Sequence, residues 1–320
     1  MDVLIIGYSN IALRRVVPAL VRIEGVGKIH VATGKLDLEV DIPVEKKGLV
    51  VVGYESALNH FPPCLAYVSL PNHLHGYWVK RALQKGFHVV VDKPAFLSES
   101  DLNEALSIAK SGRLCLAEAV VWPFHDQIAV LRETIRLRGT KIQAIHGVFS
   151  IPPLPASNFR NDSACGGGAF NDLAAYAVTA GRIFFEESPL EMRCRVLSRN
   201  ELTGVNTGFA FESLFSRGRI FQGFFSFTTE YRNSLLLLGN EFSAEVNPIF
   251  TVGPTTLTTM NVRSRDETKQ LVVPSCDMFH VFLESIISSL NLGDFGNWAD
   301  ILRQDSVDYF RAARVLEEIE

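Results

Sequence analysis

The sequence has no C-x-x-C pair. Its five cysteines, Cys64, Cys115, Cys165, Cys194 and Cys276, are an odd number and widely spaced, which reads as reduced, mostly buried thiols and not as a disulfide framework. It also lacks a basic excess: 31 Lys and Arg stand against 35 Asp and Glu, a net charge of −4, so no general field attracts nucleic acid or anionic lipid. Long apolar runs are missing as well. Leu235–Leu238 is too short, and Ala174–Phe185 is interrupted by Arg182, to span about 30 Å of hydrocarbon. Before Gly7 there is only Asp2 and Val3-Leu4-Ile5-Ile6, without the basic and apolar regions of a secretory signal, and a cytoplasmic protein is expected. No G-K-[ST] follows the run Gly166-Gly167-Gly168, so that run reads as a flexible entry to a helix and not as a phosphate loop. No G-x-S-x-G elbow marks a serine hydrolase. His73 and His75 form an H-x-H pair with no third ligand at metal spacing, so no metal is expected.

What is present is an ordinary globular composition, 47% hydrophobic and 21% charged, over 320 residues, enough for two domains. Short buried-strand runs alternate with helical spacing: Val3–Ile6, Ile29–Ala32, Val50–Val52, Leu65–Val68, Val89–Val91 and Leu114–Ala117 are separated by helices from Ile11 to Leu20, His75 to Lys85 and, capped at Ser98, on to Lys110. Alternation of this kind builds a doubly wound parallel sheet, a Rossmann domain over residues 1–118. Beyond it the pattern changes. A helix from Phe124 to Arg138 precedes aromatic-rich stretches at Phe209–Leu214, Ile220–Thr228 and Ser234–Leu238, which read as neighbouring antiparallel strands. Residues 119–320 are therefore expected to form an α+β domain with a large open, mostly antiparallel sheet, its last helix, Ser306 to Ile319, packing back. Phe221, Phe224, Phe225 and Phe227 cannot all face one side. One face of the sheet should lie on helices and the other be covered by a second subunit, giving a homodimer or homotetramer.

The turn after the first strand, Gly7-Tyr8-Ser9-Asn10-Ile11-Ala12, is a G-x-S-x-x-A version of the dinucleotide fingerprint, in the right strand-to-helix context. Gly7 permits the tight turn; Ser9 stands where the backbone must approach a pyrophosphate, and it either crowds the phosphate or bonds to it. The second strand ends in Thr33-Gly34-Lys35 in place of the acid that holds a ribose 2′-hydroxyl, so NADP is favoured over NAD unless Lys35 is only a solvated loop lysine. Ser69-Leu70-Pro71-Asn72-His73-Leu74-His75 and Asp92-Lys93-Pro94 follow two further strands, at the carboxyl ends where open α/β sheets bind ligands. A lysine there is a candidate proton donor.

Taken with Glu118-Ala119 and the stretch Gly166 to Tyr176, these motifs occur in an order that resembles the Gfo/Idh/MocA family of nicotinamide-dependent oxidoreductases, over nearly the whole chain. The resemblance implies a Rossmann domain, a second open-sheet domain, and a hydride exchanged between NAD or NADP and a sugar or related alcohol. It places the cofactor on Gly7, Ser9, Asn10, Ile11, Thr33, Lys35, Ser69, Pro71, Asn72, His75, Asp92 and Lys93. The family's E-K-P falls on Asp92-Lys93-Pro94, making Lys93 the catalytic lysine. Its D-x-G-x-H falls on Asp172 to Tyr176, with tyrosine in place of histidine, as in the branch that includes nucleotide-sugar 3-ketoreductases, glucose-fructose oxidoreductase and dihydrodiol dehydrogenases. Asn158-Phe159-Arg160 and Glu230-Tyr231-Arg232-Asn233 look like the same branch. Asp172 and Tyr176, four apart, share one helix face. The expected substrate cleft is lined by Lys93, Trp122, Arg160, Asp172 and Tyr176, with Lys93 or Tyr176 giving the proton to a sugar or sugar-nucleotide substrate. Ser9, Asp92, Pro123 and Ala174 depart from the family pattern. They leave open a non-catalytic relative that binds a dinucleotide or sugar as a sensor or partner subunit.

Overall fold

The runs Val3–Ile6, Leu65–Val68 and Val89–Val91 are buried and carry no polar face, as strands covered by helices on both sides require. Val50–Val52, expected to be buried, instead lies on an edge strand with Val50 and Val52 exposed. The computed structural model describes residues 1–36, 38–265 and 267–317. In it β1 (Val3–Ile6) leads through a turn of π-helix, Ala12–Val16, into α1 (Val17–Arg22). There follow β2 (Ile29–Thr33), β3 (Lys47–Val52), α2 (Tyr54–His60), β4 (Leu65–Val68), α3 (Asn72–Gln84), β5 (His88–Val91), α4 (Glu99–Gly112) and β6 (Leu116–Glu118). The six strands pair in parallel in the order β3-β2-β1-β4-β5-β6. This is the doubly wound Rossmann order, and the direction of winding reverses between β1 and β4. Both of those strands are buried throughout. Ser98 caps α4 as expected, its side chain accepting the Asp101 N–H. Helix α3 starts at Asn72, three residues before the expected His75, because Pro71 with its fixed φ stands at the N-cap and sets the entry.

One compact unit contains residues Met1–Val120 together with Phe279–Ser306. The later segment was expected with the second domain. It joins the first because its aromatic side chains find partners there: the Arg15 guanidinium lies 5.0 Å over the Phe279 ring, and Phe295 meets His88 edge-on at 5.3 Å.

The second unit holds Val121–Met278 and the chain from Val307 onward. It contains α5 (Asp126–Arg138), β7 (Ile142–Ser150), α6 (Ala169–Phe185), β8 (Glu191–Arg199), β9 (Asn206–Leu214), β10 (Ile220–Ser226), β11 (Arg232–Gly239), β12 (Phe242–Val246), β13 (Thr258–Ser264) and β14 (Glu267–Val273). Two helices follow, α7 (Met278–Leu292) and α8 (Gly296–Arg314), then β15 (Leu316–Glu317). The nine-stranded sheet has the order β14-β13-β12-β11-β7-β10-β9-β8-β15, antiparallel except where β7 pairs with β10 and β8 with β15. Strands β10 and β11 are therefore not neighbours, contrary to the sequence expectation. Ser150 of β7 is paired with Ser226 on one side and Arg232 on the other, so the residues 227–231 step across the end of β7. The final helix begins at Gly296, ten residues earlier than expected, and stops at Arg314, where the chain turns to pair Leu316 with Cys194; Ile319 lies outside the described residues.

Helix α6 covers one face of this sheet. Phe209, Phe221 and Phe225 are buried there, and the packing is close enough that a Cβ on Gly181 would lie 2.6 Å from the Phe215 ring. On the opposite face Val148, Phe224 and Leu236 are half-buried and Leu197 is exposed. Among the described residues no helix is long and apolar enough to cross a membrane.

Candidate active site

Where β1 ends, Gly7 adopts φ +86°, and an added Cβ would lie 2.4 Å from the Ser69 carbonyl oxygen and 2.5 Å from Leu70 Cδ2. Only glycine lets this turn pass so close to the exit of β4. Ser9 neither projects freely nor blocks the turn. Its Oγ accepts the N–H of Ile11 and of Ala12, both at 3.1 Å, and contacts Ser69 Oγ at 2.7 Å. The serine at the middle fingerprint position is thus folded back as a cap on the helical entry. Asn10 and Ile11 remain exposed at the turn.

At the end of β2, Thr33 Oγ1 accepts the Lys35 N–H at 3.0 Å, which bends the chain away from the strand and leaves the Lys35 side chain exposed. A turn that admits only glycine, a polar entry beside it and a cation in place of an acid form a donor set that fits a dinucleotide carrying a 2′-phosphate.

Asp92 leaves β5 with its backbone N–H on the Val68 carbonyl at 3.0 Å. Its carboxylate accepts Tyr67 Oη at 2.6 Å and Ser69 Oγ at 2.5 Å. Burial pushes the Tyr67 phenol well above its ordinary pKa, and the adjacent carboxylate adds to the effect, so this hydroxyl stays a donor. Lys93, half-buried, comes next, followed by a cis Lys93–Pro94 peptide. The loop is then held at Ala95, whose N–H donates to Glu118 Oε1 at 2.8 Å. His75 is wholly buried, with Nδ1 2.8 Å from the Pro94 carbonyl and Nε2 2.8 Å from the Leu70 carbonyl. Burial draws its pKa down, while those two carbonyls and Asp92 act against the shift. With no exposed surface, His75 is revised from a cofactor contact to a tie between the two loops, its one imidazole N–H donating to the Pro94 or the Leu70 carbonyl. Pro71 and Asn72 remain at the same strand end, half-buried and buried.

In the second unit the glycine run is a close-packed turn, not a flexible entry. A Cβ on Gly167 would lie 2.5 Å from the Arg160 carbonyl and 2.6 Å from that of Asp162, and Gly168, at φ +106°, donates to the Arg160 carbonyl at 2.8 Å. This packing brings the Phe159–Asn161 turn against the start of α6. Arg160 consequently grips Asp172 with a fork, Nη2 to Oδ1 at 3.1 Å and Nε to Oδ2 at 3.0 Å. Asn171, one residue earlier, bonds the Gly166 and Gly167 carbonyls and accepts Tyr309 Oη at 2.6 Å.

Tyr176 follows Asp172 by one helical turn and is buried to 9% exposure. Its ring meets Phe149 at 5.1 Å and Phe250 at 5.2 Å. Trp122 is wholly buried: its Nε1 donates to Thr179 Oγ1 at 3.0 Å and its ring meets Phe250. It is therefore revised from a substrate contact to a support of the aromatic wall behind Tyr176. The structure groups Arg160, Asp172 and Tyr176 in the second unit and the cofactor set with Lys93 in the first.

Two contributors carry no site role in the sequence reading, Tyr67 and Asn233, the latter named there only within the Glu230–Asn233 motif. Tyr67 looked like one apolar letter of a buried strand, and a lone polar atom at full burial was its signal. Asn233 is fully buried, its Oδ1 accepting the N–H of Ile249 (3.2 Å) and Phe250 (2.8 Å) while Nδ2 donates to Thr251 Oγ1 (3.0 Å) and to Tyr231 Oη (3.2 Å). It fixes the Phe250 segment against which Tyr176 packs.

Residues 1–119 match the family model described as an oxidoreductase family with an NAD-binding Rossmann fold. Over 308 residues the chain is 27% identical to a dTDP-3,4-didehydro-2,6-dideoxy-alpha-D-glucose 3-reductase of Actinomadura kijaniata, covering 95% of this chain and 92% of that protein. A D-xylose 1-dehydrogenase (NADP(+)) of Haloferax volcanii is 22% identical over 98% of this chain and 95% of its own length. Among solved structures, a 3-ketoreductase from Actinomadura kijaniata in complex with NADP and TDP-benzene superposes with a TM-score of 0.89 at 24% identity, over 100% of this chain and 98% of the other. An aldose-aldose oxidoreductase from Caulobacter crescentus gives 0.84 at 18% identity, over 98% and 97%.

Proposed function

We propose that the chain is an NAD(P)-dependent oxidoreductase of the Gfo/Idh/MocA type, whose family model matches its first 119 residues, and that its substrate is a nucleotide-linked keto sugar, reduced at a ring ketone with NADPH. The observation that carries this reading is the Arg160–Asp172 fork one turn from Tyr176, in a chain similar over 95% of its length to a dTDP-keto-sugar 3-reductase. The exposed Lys35, at a strand end without an acid, supports NADPH.

NADPH when bound supplies the hydride. The Gly7 turn, Ser9, Asn10, Ile11, Thr33, Lys35, Ser69, Pro71 and Asn72 are the residues that would hold it. Lys93 and Tyr176 handle the proton that the new alkoxide takes up. A phenol is a competent donor when a cation favours the phenolate it leaves behind, and an ammonium is competent when its surroundings lower its pKa toward the working range. Asp172, held by Arg160, presents an acceptor of fixed orientation to a sugar hydroxyl.

Titration with NADPH and with NADH, followed by nicotinamide fluorescence, and then turnover of a dTDP-linked 3-keto sugar against free D-xylose, tests the proposal. NADPH binding with turnover confined to the nucleotide-linked ketone is the expected result. Turnover of the free aldose alone would overturn the substrate class, and tighter binding of NADH would overturn the cofactor.

The half-buried Val148, Phe224 and Leu236 support a homo-oligomer formed through the open sheet, checked by sedimentation mass. Five free thiols support a reducing, cytoplasmic setting.

A further inference from the structure

At the carboxyl ends of β1, β4 and β5 a string of side-chain hydroxyls runs to the residue before Lys93, and proton counting fixes its direction. An ionised carboxylate only accepts, so Tyr67 and Ser69 both donate to Asp92. Ser69 has then used its one proton. The Ser9–Ser69 contact must run from Ser9 to Ser69, leaving the lone pairs of Ser9 to meet the N–H groups of Ile11 and Ala12. Every hydroxyl proton in the string has a destination.

Tyr67 stands out in this string because nothing about β4 asks for its hydroxyl. It lies wholly buried in a strand whose other residues are Leu65, Ala66 and Val68, paired with Val90 of β5, where phenylalanine would fill the same space. Its hydroxyl instead gives Asp92 a charge-assisted bond inside the sheet, where such bonds are strong. Asp92 is thereby tethered three times, by Tyr67, by Ser69 and through its own N–H to Val68. Ala95 is tethered by Glu118, so Lys93 projects from a backbone anchored on both sides. The family's longer Glu would carry its carboxylate one methylene farther from its backbone; aspartate matches the reach of these two hydroxyls.

We propose that Tyr67 is a positioning residue for the reduction, acting through Asp92 to fix the backbone from which Lys93 projects. This rests on the reading of Lys93 as a proton-handling residue.

The experiment is a double-mutant cycle in the full chain, Tyr67→Phe, Asp92→Ala and the pair, read by kcat, by the Kd for NADPH and by amide hydrogen exchange over residues 92–96. Tyr67→Phe should lower kcat about tenfold, leave the Kd within about twofold and speed exchange at 92–96; in the Asp92→Ala background it should change kcat less than about twofold, as expected for residues acting through one contact. Equal losses in both backgrounds, or unchanged exchange and kcat in Tyr67→Phe, would overturn the proposal. Lys93→Met separates the two readings: full activity there removes the proton role of Lys93, while the exchange data still decide whether Tyr67 holds the loop. If Tyr67→Phe does not fold, Ser69→Ala removes the other tether, and the cycle is then read by exchange at 92–96 and by kcat at saturating NADPH, with faster exchange and non-additive kcat losses expected and unchanged exchange overturning the proposal.

Discussion

Arg160 and Asp172 form a two-pronged ion pair in which each carboxylate oxygen of Asp172 faces its own guanidinium nitrogen, at 3.0 and 3.1 Å, with the side chains 27% and 12% exposed. The fork does more than neutralise charge: it fixes the rotation of the carboxylate at the start of α6. Lysine at position 160 keeps the charge but cannot reproduce two parallel bonds. Arg160→Lys should therefore raise the KM for the sugar about tenfold while kcat changes less than about threefold, the pattern of lost binding common to ground and transition states. Initial-rate kinetics check it, and an unchanged KM would remove Arg160 from substrate orientation.

Tyr176 makes its ring contacts with Phe149 and Phe250, so Tyr176→Phe preserves the packing and removes only the hydroxyl. Turnover should fall at least about tenfold, or roughly 1.4 kcal/mol of transition-state stabilisation. The Kd for NADPH should be unchanged. Wild-type turnover in this variant would leave proton handling to Lys93 alone.

The Rossmann half was legible because its inner parallel strands are short, apolar on both faces and followed by turn residues; Leu65–Val68 was read to the residue, while the edge strand Lys47–Val52, mostly exposed, was read only over its last three residues. Strand order in the second sheet was not legible. Local spacing shows that Ile220–Ser226 and Arg232–Gly239 are strands, but nothing local says that β7, some seventy residues earlier, inserts between them. The site motifs Gly7, Asp92-Lys93-Pro94, Asp172 and Tyr176 were visible as residue types. The bonds that define their roles were not. Asn233 and Tyr67 matter through partners distant in sequence, Thr251 and Asp92, and Trp122 and His75 read as contacts because sequence does not reveal that both side chains are wholly buried.

Burial pushes the Cys115 thiol up to about 12 from an ordinary 9.0. The folded protein therefore keeps this proton over a range in which the unfolded chain has lost it. The resulting stability is complete below pH 9 and is lost as pH rises toward the folded value, because the unfolded state binds fewer protons there. The urea midpoint should fall between about pH 9 and 11, and fall less in Cys115→Ala. Equal falls in the two proteins would show that this thiol contributes nothing to the alkaline loss.

Asn233 saturates the Ile249 and Phe250 N–H groups with one carbonyl oxygen and spends its amide protons on Thr251 and Tyr231. Asn233→Ala strands two buried donors and opens a small void, a loss of about 3 kcal/mol of stability. Thr251→Val removes only one acceptor and should cost about 1 kcal/mol. The kinetic consequence follows from packing: Phe250 forms one side of the wall against Tyr176 and is itself backed by Trp122 and stacked on Phe149. If that wall fixes the phenol, Asn233→Ala measured well below its melting point should lose kcat in proportion to the disorder of the 249–251 segment, with the Kd for NADPH untouched because the fingerprint turn belongs to the other unit. A variant that loses stability but keeps full kcat would mean that Phe149 and α6 alone hold Tyr176, and that Asn233 serves the fold of the second unit and not its chemistry.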